Sequence, residues 1–86
     1  MLNEEFLRER DLKGADLSNT DLRNRDLSNK DLTNANLSKS DLREADLRGA
    51  KLTKANLRET NLNFVILTEA NLTKADMTGV KLRENH

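Results

Sequence analysis

The chain carries no cysteine, proline, tryptophan or tyrosine, and among its 86 residues there are one histidine, two phenylalanines and three glycines. Lack of cysteine removes disulfides, thiolate nucleophiles and zinc–thiolate sites together. Lack of proline keeps the backbone N–H groups that a fold held by strand ladders needs. The lone histidine is His86, the last residue, where chains fray. No His-x-x-x-His pair, Gly-rich phosphate loop or nucleophile–base pair is present, so no catalytic, cofactor-binding or metal-binding residue is expected and the chain does not read as an enzyme. Charge of one sign is also missing, because 15 Lys and Arg balance 15 Asp and Glu. Such a balance projects little field, and direct binding to nucleic acid or to a membrane is not expected. No apolar run approaches the length of a signal h-region or a membrane span, and the start Met1-Leu2-Asn3-Glu4-Glu5 is acidic. These absences lead to the expectation of a cytoplasmic protein.

A hydrophobic content of 35% beside 35% charged residues would by itself suit a disordered chain. The leucines argue otherwise. All sixteen fall on one series in steps of five, from Leu2, Leu7 and Leu12 to Leu72 and then Leu82, with Met77 in the one remaining slot. On an α-helix, steps of five turn by about 140° and scatter the leucines over every face. On a flat strand an odd step sends successive leucines to opposite sides. A second column resolves the phase. Two residues before the leucines stand all seven alanines, with Thr20, Ser40, Thr60, Val65 and Val80 among the other members. Residues two apart on an extended segment face the same way, so leucine and the small residue enter one interior while the residue between them faces out. The two residues after each leucine then turn a corner. One right-angled corner per repeat closes a square after about twenty residues, and successive turns stack as parallel strands about 4.8 Å apart.

The outward columns fit this picture. Every aspartate stands immediately before a leucine slot (Asp11, Asp16, Asp21, Asp26, Asp31, Asp41, Asp46 and Asp76), and Asn36, Asn56, Asn61 and Asn71 share that slot. Interleaved around four sides beside Ser, Thr, Arg and Lys, the aspartates read as a solvated ladder and not as a converging metal site. Asn, Gly, Glu and Lys at the second position after the leucine suit corners, and Gly14, Gly49 and Gly79 all stand there. Units such as Ala15-Asp16-Leu17-Ser18-Asn19, Ala35-Asn36-Leu37-Ser38-Lys39 and Ala70-Asn71-Leu72-Thr73-Lys74 follow A(D/N)LXX. In this the chain resembles the pentapeptide-repeat family from about Glu5 to Glu84. The resemblance implies an all-β fold, a right-handed quadrilateral parallel β-helix of about four coils, as one domain over 1–86 with 1–6 as a short N-terminal cap and 84–86 as a frayed tail. It implies a non-enzymatic structural scaffold or protein–protein interaction module whose partner is unknown. It also implies an alternative, imitation of a B-form duplex and binding to DNA gyrase or topoisomerase, the role of the quinolone-resistance members. Those relatives are acidic and longer, whereas this chain has zero net charge. A homodimer through the C-terminal coil edge is a further implication, and Met77 and Leu82 are its candidate residues.

Departures from the repeat carry what individuality there is. Stacked in twenties, Arg10, Lys30, Ala50 and Ala70 share one inward column, and Glu5, Arg25, Ala45 and Val65 another. Charge in a dry bore is expensive. The expectation is therefore an N-terminal end open enough for these long side chains to reach water, with Glu5 pairing to Arg25. Phe64 and Ile66 occupy outward slots on either side of one corner, as an apolar spot that is a candidate partner or self-association surface. Phe6 stands in the column of Ile66 at the far end and is expected to fold over the N-terminal edge.

Overall fold

From Asp11 onward the chain winds a right-handed four-sided parallel β-helix, seen in a computed structural model that describes residues 4–84. Met1, Leu2 and Asn3 of the expected cap, and Asn85 and His86 of the expected tail, lie outside the described residues. Among the described residues eleven isolated parallel bridges join positions twenty apart, and the register does not slip. Asp11, Asp31, Lys51 and Asn71 line one side, followed around the coil by Asp16, Asn36, Asn56 and Asp76, then by Asp21, Asp41, Asn61 and Lys81, and last by Asp26, Asp46 and Ile66. Each repeat with a coil on either side sends three backbone hydrogen bonds between coils. In one repeat Asp31 N–H donates to the Arg10 carbonyl (2.8 Å), Leu32 N–H to Lys51 (2.7 Å) and Asn34 N–H to Thr53 (3.0 Å). Sides this short form bridges and no long strands, because the next corner interrupts them.

The corners are type II turns. The N–H of the small residue donates back to the leucine carbonyl three positions earlier, and the residue between them has positive φ. Fourteen corners carry φ between 52° and 74°, eleven of them on residues other than glycine. Asn19, Asn24, Asn29 and Asn34 serve the lower coils, and asparagine tolerates this region better than most residues. At the corner from Leu17 to Thr20 a side chain takes over. The buried Ser40 hydroxyl accepts from Thr20 N–H at 3.0 Å and donates to the Leu17 carbonyl.

The Asp/Asn slot does local work that a solvated ladder does not describe. In all twelve Asp and Asn residues of this column, Oδ1 accepts the N–H of the residue two positions on, at 3.0–3.2 Å. These are Asx turns, and they pin the chain as it leaves one corner and enters the next. Ser and Thr at the second position add a hydroxyl donor, as Ser18 does to Asp16 at 2.6 Å. Arg23 and Arg48 add guanidinium donors to Asp21 and Asp46.

Leucines fill the bore. Leu12 through Leu62 are 0–1% exposed, and Ala35, Ala45, Ala50 and Ala55 pack between them. Burying a leucine contributes about 1.5–3 kcal/mol, and the narrow square leaves room for one large side chain per repeat. Toward the last coil Leu67, Leu72 and Met77 are only partly buried, and Leu82 is 49% exposed.

The N-terminal end differs from expectation. Glu4–Arg8 forms a short helix, α1, so the repeat begins at Asp11 and not near Glu5. Leu7, and not Phe6, joins the leucine stack from α1; it is 6% exposed, while Phe6 is 39% exposed. Arg25 pairs with Glu4 in place of Glu5, Nη1 to Oε2 at 2.6 Å and Nη2 to Oε1 at 2.9 Å. Helical winding turns Glu4 toward the guanidinium, which the five-residue phase could not foresee. Lys30 Nζ donates to the carbonyls of Arg8 (3.2 Å) and Glu9 (3.0 Å), at the C-terminal end of α1. The inward charges thus reach past the last leucine layer and hold the helix over the end of the bore. Arg10 is exposed just below the first coil.

Candidate functional site

Phe64 and Ile66 stand out on a polar rod, at 36% and 42% exposure. They flank one corner and line a hollow of about 460 Å³ with Val65, Leu67, Thr68, Glu44 and Glu84. A second hollow of about 250 Å³ opens on the other side of Phe64, against Arg23, Asn24, Arg43 and Glu44. Of the four candidate residues, the structure therefore brings Phe64 and Ile66 together. Met77 and Leu82 lie in inward slots of the last coil and line neither hollow.

Local chemistry makes this corner unusual. Phe64 holds φ +64°, where the other corners use Asn, Gly, Lys or Glu. A bulky aromatic in the left-handed region is disfavoured by about 1–2 kcal/mol. Ile66 occupies an Asp/Asn slot and cannot accept the N–H of Thr68, so this repeat forgoes the Asx bond. Two unfavourable local choices converge on one exposed apolar point. The sequence had the signal for the second in its Asp/Asn column, but only the backbone shows the first.

The charges around it are largely self-satisfied. The Arg23 hydrogen bond holds the Asp21 carboxyl down at about 2, and the Arg43 and Arg48 guanidiniums hold Asp41 and Asp46 below the usual carboxylate range. Hydroxyl hydrogen bonds from Ser18, Ser28, Thr33 and Thr78 do the same for Asp16, Asp26, Asp31 and Asp76. Arg23 and Arg43 share an outward column, and each is tied to its own aspartate. Among the described residues no three His, Cys, Asp or Glu side chains come together as a metal site, and no helix is long and apolar enough to cross a membrane.

The profile of pentapeptide repeats, eight copies, matches residues 11–49 and 45–84. The chain belongs to the pentapeptide-repeat family. Pentapeptide-repeat proteins are generally non-enzymatic scaffolds. Solved structures of other pentapeptide-repeat proteins are similar to this one. A protein from the cyanobacterium Cyanothece is 34% identical, with 84% of this chain and 49% of that one covered and a TM-score of 0.42. HetL, involved in heterocyst differentiation regulation in the cyanobacterium Nostoc, is 34% identical over 85% of this chain and 40% of its own, at a TM-score of 0.45. A pentapeptide-repeat protein of the Arabidopsis thaliana thylakoid lumen is 32% identical over 95% of this chain and 64% of its own, at a TM-score of 0.41. The chain spans about half or less of the first two of these relatives. No curated protein matches it.

Proposed function

We propose that this pentapeptide-repeat chain is a non-catalytic scaffold that binds a protein partner at the Phe64/Ile66 corner. The observation that carries this reading is the pairing of two disfavoured local choices, positive φ at Phe64 and a missing Asx acceptor at Ile66, on one exposed apolar spot. A repeat selected for stability alone would place Asn at both positions, as this chain does at Asn34 and Asn36. Replacing both, Phe64→Asn with Ile66→Asn, therefore restores repeat chemistry and keeps the fold. A partner retained by the native chain from an extract, and rebound in purified form, is expected to be lost from this variant. Identical retained sets for the two proteins would sink the proposal.

A second reading concerns the last coil. Among the described residues, the N–H groups of Glu69, Leu72, Lys74, Met77 and Gly79 have no partner, and Leu82 is half-exposed. Such an edge suits a two-fold stack of one copy on another. Sedimentation should then give a dimer for the native chain and a monomer for Leu82→Asp; a native monomer at high concentration would remove this reading. Duplex imitation is less well supported, because the aspartates are matched by Arg, Lys and hydroxyl groups beside them. Gyrase supercoiling is accordingly expected to be unchanged by an excess of the protein.

A further inference from the structure

We propose that the hollow beside Phe64 takes a short segment of a partner protein in which an apolar side chain stands next to a lysine or arginine; this rests on reading that corner as a protein-binding site. The larger hollow has two chemistries. Its apolar lining is Phe64, Val65, Ile66 and Leu67, and its acidic lining is Glu44 and Glu84. The two glutamates lie one coil below and one coil above Phe64 in the same corner column, so about 10 Å separates them along the rod. Neither makes an ion pair or side-chain hydrogen bond among the described residues. The aspartates nearby differ, since Asp21, Asp41 and Asp46 are each tied to an arginine of their own repeat.

Two unmatched carboxylates beside an apolar lining favour a cation whose neighbour, or whose own methylene stem, is apolar. An ammonium or guanidinium entering between the glutamates also meets the Phe64 ring. A second copy of this chain is a poorer occupant. A two-fold contact through this corner would set one carboxylate-lined hollow against another.

The test uses random peptides displayed on phage, selected on the native chain and counter-selected on Phe64→Asn/Ile66→Asn. Enriched peptides are expected to carry an apolar residue beside Lys or Arg. Synthesised, they should bind Glu44→Gln/Glu84→Gln about fivefold or more weakly than the native chain. Their affinity for the native chain should fall as salt rises. Peptides that need Phe64 and Ile66 but are neutral or acidic, or that bind the glutamine variant equally well, would overturn the basic-partner inference while leaving the corner as a protein-binding site. If no enriched peptide depends on Phe64 and Ile66, both readings fall.

Discussion

At the N-terminal end of the coils the inward slots hold Arg25 and Lys30, whereas at the other end they hold Val65, Ala70 and Val80. The lower end of the leucine stack is covered by Leu7 of α1, whereas the apolar side chains of the last described coil are only partly buried. At the lower end long cations extend past the stack and fasten α1 by Glu4 and by the carbonyls of Arg8 and Glu9. At the upper end short apolar residues make no such reach, and Leu82 stays half-exposed. The inward residues at the lower end are thus matched to the helix that lies beyond them, and those in the middle to the width of the bore.

The sharpest way to break this comparison is to truncate a leucine in the middle and one at the open end. Leu37→Ala, at a fully buried position, is expected to cost about 2–5 kcal/mol. Leu82→Ala should cost under about 1 kcal/mol, because half the side chain is already in water. Urea unfolding of both variants measures the contrast, and equal losses would mean that the last coil is covered in solution.

The fastening of α1 comes next. Arg25→Ala with Lys30→Ala should release the helix while leaving the coils wound. Hydrogen exchange should then show loss of protection at Glu9, whose N–H is bonded to the Phe6 carbonyl, with Leu37 and Leu57 unchanged. Uniform loss through all coils would instead make the two cations part of the core.

Acid should separate the two halves in the same order. Seven of the eight aspartates precede position 50, and those held down by arginine or hydroxyl donors have folded values below the unfolded one of about 3.9. Their contribution is complete above that range and is lost as pH falls toward about 2, the value at Asp21. Amide protection in the first two coils should therefore decline over this window before that of Leu57 does. Flat protection between pH 5 and pH 2 would show that the charged form of these carboxylates adds nothing to the turns.

Much of this architecture is legible in the chain. The shared phase of leucine and alanine is a statement about which side chains point together, and periodicity reports that directly. The column also misled at one place. Leu7 sits on the series yet belongs to α1, because a leucine that covers the end of a bore can arrive from a helix as readily as from a coil. The five-residue phase therefore points to Glu5 and Phe6, whereas Glu4 binds Arg25 and Leu7 joins the leucine stack. The Asx bonds escaped for another reason: an outward carboxylate looks the same in sequence whether it solvates a face or accepts its neighbour's N–H. At the candidate site Phe64 and Ile66 were visible as apolar residues in polar slots. The hollow beside them and the positive φ of Phe64 depend on the corner geometry.

The smallest expected effect is a near-cancellation. Phe64→Asn should change stability by no more than about 1 kcal/mol, since relief of the left-handed strain offsets the packing lost from a ring that is 36% exposed. A clear loss in thermal unfolding would mean that the Phe64 ring supports the upper coils.

The twenty-residue register has a bearing on how such a rod can change by descent. Gain of a single repeat between Glu44 and Phe64 would keep every leucine inside and every turn intact, yet carry the apolar corner a quarter-turn around the axis and away from the column of Glu44. Gain of four repeats would return it to the same face, one storey higher. Duplication therefore works on this molecule like the dial of a combination lock, re-aiming the apolar corner without disturbing what holds it.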